Sequence, residues 1–316
     1  MRLPADKQLL LIFSGILGLL LVSSVVGILL KKTVRDPGSQ AGIANLNARI
    51  RSWWVMSGVF VLTLVTGEVG SLVLFGLISF LALREYVTLI RTRPADHRAL
   101  FWAFFIFTPI QYFLIAIHWY GLFSILIPVY AFLFVPARIA VAGDTQNFLE
   151  RTSTIQWGLM ICVYCLSYAP ALLMLSIPGF ERQNTKLLLY LVVVDQLSDV
   201  LQYVWGKLFG RHKISPQVSP SKTWEGFVGG ILSATLIGTA LWWTTPFRPI
   251  AAAAVSLAIT LMGFFGGLTM SAIKRDRSVK DFGTLIEGHG GILDRMDSVC
   301  FAAPVFFHFL RYFYVP

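Results

Sequence analysis

The chain reads as an all-α, polytopic integral membrane protein with about ten transmembrane helices, and three observations carry that expectation. Of 316 residues, 56% are hydrophobic and 13% charged, where a soluble domain carries roughly 25% charged residues. The sparse charges fall between long apolar runs, so lipid is the solvent and each helix must satisfy its own backbone. The basic residues, finally, gather on alternate loops. The formal net charge is +10. In a soluble protein that would suggest nucleic acid; here it places loops near anionic lipid head groups, and no nucleic-acid partner is expected.

The spans follow in order. Leu9–Leu30 is long enough to cross, has no clear small-residue cleavage site and is followed by Lys31 and Lys32, so it reads as an anchor rather than a removed signal. Trp53–Ile90 is too long for one ordinary helix and is interrupted by Gly67, Glu68 and Gly70, which predicts two spans. Leu100–Val135 divides near His118–Gly121. Gln156–Ser176, Leu187–Trp205, Phe227–Trp243, Ile250–Leu268 and Val299–Val315 complete the set. Ten crossings put loops 31–52, 84–98, 137–155, 206–226 and 269–298 on one side, and these hold 20 of the 26 Lys and Arg residues. The positive-inside rule makes that side cytoplasmic, with both termini outside. There is no visible repeat and no separate soluble region, so residues 1–316 read as a single integral membrane domain. Cys162 and Cys165 form a CxxC inside the apolar ICVYC, without the further ligands or context of a zinc or redox site, and Cys300 is also in an apolar run; all three read as membrane packing.

Three polar regions carry the candidate chemistry. Asp195 and Asp199, spaced i, i+4, share one helix face, and carboxylates in an apolar span face a wet cavity or a cation. GKLFGRHKISPQVSPSKTWEG, residues 206–226, brings Lys207, Arg211, Lys213 and Lys222, with two Ser-Pro pairs that favour turns. Its composition suits a phosphate-rich ligand and lipid-facing positive charge equally. In EGHGGILDRMD, residues 287–297, Gly288, Gly290 and Gly291 flank His289 and allow backbone N–H groups to approach an anion. If ILDRMDS opens a helix, Asp294 and Asp297 share a face at i, i+3, a spacing that suits Mg²⁺ held by one or two carboxylates and substrate phosphates. Lys274, Arg275, Lys280 and Arg295 could neutralise phosphate charge. An N-cap at Asp294 in a solvated loop would explain one aspartate but not the glycine–histidine cluster.

Ser271, Lys274-Arg275, Lys280-Asp281, His289-Gly290-Gly291, Asp294-Arg295 and Asp297 together resemble the long signature of the phosphatidate cytidylyltransferases, or CDP-diglyceride synthases. SPSKTWEG and GKLFGRHK resemble that family's preceding loop, and Asp199, followed by Tyr203, falls where the family has an upstream aspartate. The motifs lie in the last third of the chain, within 185–316. The resemblance implies condensation of CTP with phosphatidic acid or a related lipid phosphate, giving CDP-diacylglycerol and pyrophosphate, with Mg²⁺ as cofactor. It implies Asp294, Asp297 and Asp199 as metal ligands, with Lys274 beside them in catalysis. It implies Ser219, Lys222, Ser271, Arg275, Lys280, His289, Gly290, Gly291 and Arg295 as substrate contacts. The implied setting is the cell inner membrane, in contact with membrane lipid, with the site facing the cytoplasm; a homodimer is left open. The sequence departs from the family at Gly267, where an aspartate is usual, at Met270, where glutamate is frequent, at Glu287, and at Val200, Leu201 and Gln202, where small residues are usual. Asp195 or Glu287 could restore the missing charge. Two other readings compete: a transporter with intramembrane carboxylates, and a non-catalytic partner of another lipid enzyme.

Overall fold

The computed structural model describes residues 7–34, 36–286, 288 and 290–316. Glu287 and His289, both singled out above, lie outside the described residues. The helices in chain order are α1 (Lys7–Thr33), α2 (Pro37–Leu89), α3 (Pro94–Ala116), α4 (Tyr120–Ala140), α5 (Phe148–Met174), α6 (Asn184–Phe209), α7 (Trp224–Ala240), α8 (Pro249–Asp276), the short α9 (Leu293–Met296) and α10 (Val299–Tyr314). Among the described residues, seven helices are long and apolar enough to cross a membrane: most of α1, α2 from Val65 onward, α3, α4, α5, α6 and α8. The predicted number was about ten. The remaining candidates are α7 with 17 residues, α10 with 16, and the first limb of α2.

α2 runs over 53 residues but is not straight, because Gly67 has φ 74° and ψ −145°. Contacts at its two ends show how sharply it turns. Arg49 Nε donates to the carbonyl of Gly288 at 3.2 Å, and Glu85 accepts from the backbone of Ile292 at 3.0 Å. A straight helix would hold Arg49 and Glu85 about 54 Å apart, whereas Gly288 and Ile292 can be separated by at most roughly 14 Å of chain. The helix therefore folds back at Gly67, and limbs 37–66 and 68–89 return to the same loop. The division predicted from Gly67, Glu68 and Gly70 is present as a reversal within one continuous element.

The core lies where α4, α5 and α10 meet. Tyr168 packs its ring edge-on against Phe123 and Phe307, both at 5.0 Å between centroids, and all three side chains are fully buried. Cys162 and Cys300 are buried in the same core, and the three cysteines are free, as packing residues should be. α1 stands apart and presents Leu and Val side chains outward, as a lipid-facing helix does. It is tied to α2 by Asn47 Nδ2 donating to the Gly27 carbonyl at 3.2 Å and Trp54 Nε1 to Ser24 Oγ at 3.0 Å.

The five basic segments meet at one end of the bundle, although 37–52, expected to be part of a loop, is helical and belongs to α2. Arg49 reaches Gly288 and Glu85 reaches Ile292. Arg93 Nε donates to Asp144 at 2.6 Å, and Arg275 Nε to the Val218 carbonyl at 3.3 Å. Nearby, Arg151 grips Asp96 through Nε and Nη2, both side chains buried. The opposite end carries a separate polar pair, His118 and Glu68, at 3.1 Å.

One segment departs from the all-α expectation. The Ser-Pro-rich loop forms a hairpin, β1 (Lys213–Ser215) antiparallel to β2 (Ser219–Thr223), with Lys213 opposite Thr223 and Ser215 opposite Ser219. Thr223 Oγ1 then caps α7 by accepting from Gly226 N at 3.1 Å. The Glu225 carboxylate returns to the hairpin, accepting from the backbone of Arg211 at 3.0 Å and meeting His212 Nδ1 at 2.6 Å. The His212 contact, then the backbone N–H of Arg211, hold the Glu225 carboxyl down at about 2.

Candidate active site

Glycines let α6 and α7 touch. A Cβ at Gly226 would lie 2.7 Å from the Gln202 carbonyl, and one at Gly229 would lie 2.6 Å from the Trp205 ring. A Cβ at Gly230 would meet Gln202 within 2.5 Å. Gly226 and Gly230 are one turn apart, a small-residue spacing that allows close helix approach in lipid. This contact, the hairpin and α8 enclose a cavity of about 510 Å³ at the basic end of the bundle.

The cavity brings together seven of the predicted site residues: Asp199 from α6, Ser219 and Lys222 from β2, Ser271 from α8, and Asp294, Arg295 and Asp297 from the segment around α9. Lys222 Nζ rests 4.5 Å from the centre of the Phe264 ring, a cation–π contact that holds the ammonium at the wall. Arg295 lines the cavity, its Nε is buried with no hydrogen-bond partner among the described residues, and a guanidinium group at a polar cavity suits an anion. Asp297 accepts from Ser298 N at 2.9 Å. Burial, and secondly the charge of Asp199, push its carboxyl up to about 6 against the pull of Lys274, Arg295 and Lys222. A buried carboxyl whose charge is disfavoured by a neighbouring carboxylate suits a cation beside the two.

Among the described residues, no three Asp, Glu, His or Cys side chains form a group able to hold a metal ion by themselves. Asp199, Asp294 and Asp297 share the cavity without making a three-carboxylate cage. Mg²⁺ ordinarily takes one or two carboxylates with phosphate oxygens and water, and Asp199 and Asp297 fit that donor set. Gly267 adds an open slot, since a Cβ there would lie 3.4 Å from Lys222 Nζ and 3.9 Å from Asp297 Oδ2.

Asp294 is at the cavity but is engaged by the protein itself, and several other predicted residues lie elsewhere. Asp294 is in the first turn of α9 rather than at its cap. Its Oδ1 accepts from Lys274 Nζ at 2.7 Å, and its Oδ2 from Phe282 N at 2.8 Å and Gly291 N at 2.9 Å. Lys274 is thus committed to Asp294 rather than facing the cavity. Arg275 points outward to the carbonyls of Val218 and Val279, and Lys280 is exposed away from the cavity. Gly290 and Gly291 are not on the cavity wall either. Gly290 adopts φ +83° and its carbonyl accepts from Ile286 N at 2.8 Å. The anions that the glycine-rich loop receives are the protein's own carboxylates, Asp294 and Glu85. Asp195 is one turn deeper than Asp199, behind the wall. Its Oδ2 accepts from Ser298 Oγ at 2.6 Å, and its Oδ1 is buried against Gly263 without a partner among the described residues.

Sequence reasoning missed Glu85, Gln196, Ser221 and Phe264. Glu85 follows an arginine at the end of an apolar run and reads locally as part of a loop. The others are ordinary polar or aromatic residues whose role appears only once the elements converge.

Fold and site together define a polytopic helical membrane protein whose basic end holds a cavity lined by both cations and carboxylates. A family model described as the cytidylyltransferase family matches residues 47–313. The uncharacterized protein YnbB of Escherichia coli (strain K12) is 41% identical over 282 residues, covering 88% of this chain and 91% of the relative. A phosphatidate cytidylyltransferase of Staphylococcus aureus (strain COL) is 31% identical over 193 residues, 58% of this chain and 74% of that protein. One from Haemophilus influenzae is 39% identical over 142 residues, 41% of this chain and 46% of that protein. The chain belongs to the cytidylyltransferase family and is a nucleotidyltransferase-like enzyme. The resemblance read from its last third is borne out, and the match begins well before those motifs, at residue 47.

Proposed function

We propose that the protein condenses CTP with phosphatidic acid or a related lipid phosphate to give CDP-diacylglycerol and pyrophosphate, with Mg²⁺ as cofactor. The observation that carries this reading is a cavity of about 510 Å³ lined together by Lys222, Arg295, Asp199 and Asp297. A phosphate oxygen of the lipid bonds to the α-phosphorus of CTP. The bond from that phosphorus to the bridging oxygen breaks, and the electron pair leaves with pyrophosphate. The nucleophile is already ionised at neutral pH, so the chain needs no general base; its work is alignment and charge neutralisation. Lys222 and Arg295 neutralise phosphate oxygens, and Ser219 and Ser271 offer hydroxyls at the same wall. The chemistry that Mg²⁺ would supply when bound is neutralisation of charge on the phosphates and on the departing pyrophosphate. Asp297 and Asp199 are the residues that would hold the ion, while Asp294, the third expected ligand, orders Lys274 and the loop around it.

The charge on the surrounding loops supports a cavity at the cytoplasmic face of the cell inner membrane, where CTP enters from water and the lipid from the side, and ten crossings fit that arrangement. The test is purified protein in detergent with labelled CTP, a panel of lipid phosphates and Mg²⁺. The expected result is Mg²⁺-dependent CDP-lipid with matching release of pyrophosphate; no CDP-lipid from any member of the panel sinks the reading. Asp297→Asn should lower kcat on the order of 100-fold while thermal unfolding stays near wild type. A second reading, a non-catalytic partner, draws on the open slot over Gly267, and CTP binding without turnover would favour it.

A further inference from the structure

We propose that Glu85 is a positioning residue for the proposed transfer reaction, acting as a latch between the N-terminal half of the chain and the segment that carries Asp294, Arg295 and Asp297. Its Oε1 accepts from Ile292 N at 3.0 Å and its Oε2 from Leu293 N at 2.9 Å. These N–H groups open α9, where a helix has no partners of its own for them. Gly291 N is taken by Asp294, so three consecutive amides are divided between two carboxylates, one local and one from α2.

The loop is shaped around this contact. Gly283 and Gly291 do not have positive φ, so backbone conformation does not account for them. A Cβ at Gly283 would lie 2.6 Å from Glu85 Oε1, and one at Gly291 would lie 2.6 Å from the Glu85 Cδ. Both positions clear room for one carboxylate. Gly288, with φ +72°, packs on Ala48 and Arg49 of the other α2 limb. Both limbs of the folded-back helix therefore hold one loop, and Glu85 grips it beside the cavity residues. Removing the grip leaves the cavity's chemical groups in place but frees the direction in which α9 presents them, a loss that falls on alignment.

The test has two arms. The first does not depend on turnover. In detergent, Glu85→Gln should raise amide hydrogen exchange at Ile292 and Leu293 about tenfold, with α6 and α10 unchanged. Gly291→Ala alone should lower the thermal midpoint, and should do so much less in a Glu85→Ala background, because the methyl then enters space the carboxylate has left. Gly291→Ala approaches the contact from the loop side should a Glu85 variant fail to fold. In the second arm, which rests on the proposed transferase reading, Glu85→Gln should lower kcat on the order of tenfold, with KM for the lipid phosphate within about twofold. Wild-type protection at Ile292 and Leu293, or strictly additive Gly291→Ala and Glu85→Ala effects, overturns the latch. A wild-type protein that makes no CDP-lipid removes the reaction while the first arm still decides the latch; unchanged kcat in an active protein with a loosened loop overturns the positioning role.

Discussion

Asp195 illustrates how a carboxylate in an apolar helix can be read correctly as polar chemistry and still be placed at the wrong depth. Spacing i, i+4 with Asp199 does put both on one face, but the structure gives only Asp199 to the cavity. Asp195 holds the hydroxyl of Ser298, whose backbone N–H in turn holds Asp297. Asp195 touches the site through Ser298, and its other oxygen lies against Gly263 rather than in the cavity. Asp195→Asn keeps an oxygen for the Ser298 bond and removes a carboxylate whose second oxygen has no partner, so thermal unfolding in detergent should change little. Asp195→Leu leaves the Ser298 hydroxyl buried and unpaired and should cost about 1–3 kcal/mol. Equal damage from both would show that the negative charge itself is required. The aspartates were legible because local spacing records them. The slot over Gly267 was legible only as a departure from the family, since its neighbours, Lys222 and Asp297, come from other elements.

Among the elements, the hairpin is where sequence and structure part most clearly. Ser-Pro pairs mark turns, and its strand residues, Lys213–Ser215 and Ser219–Thr223, are too short and polar to show the alternation that identifies a strand. What holds it are contacts fourteen and thirteen residues apart, from Glu225 at the start of α7 to Arg211 and His212. Long apolar helices announce themselves by composition; this hairpin depends on a clasp between its two ends. The Glu225 carboxyl is depressed to about 2 from an ordinary 4.5, so its contribution to stability is fully present above about 4.5 and is lost as pH falls toward 2. Wild type should therefore unfold at a higher temperature than Glu225→Gln at pH 6, and the gap should close as the pH drops through that window. A gap of the same size at every pH would mean that hydrogen-bond geometry, and not the charge, secures the hairpin.

The whole molecule depends on chain segments far apart in sequence meeting at its basic end, and the reversal of α2 makes that meeting possible. Without it, Arg49 and Glu85 could not both reach the loop between Gly288 and Leu293, and the segment that carries Asp294, Arg295 and Asp297 would lose its N-terminal support. The reversal rests on one residue. Gly67 has φ 74° and ψ −145°, a combination essentially reserved for glycine. A Cβ at Gly67 would meet nothing within 4 Å, so replacing it tests backbone conformation without a packing clash. Gly58 is the matched control. It lies in the first limb without a positive φ and is equally open around its missing Cβ. Alanine at 58 should be neutral or stabilise by up to about 1 kcal/mol, because it narrows the unfolded ensemble in an ordinary helical position. Alanine at 67 should instead cost about 1–3 kcal/mol and raise amide exchange at Ile292 and Leu293, as the second limb strains away from the loop. Thermal unfolding and exchange on the two variants in the same detergent decide the matter. If Gly67→Ala proves as benign as Gly58→Ala, the helix tolerates a side chain at its bend, and the fold-back must be held by the loop contacts rather than by glycine's conformational freedom.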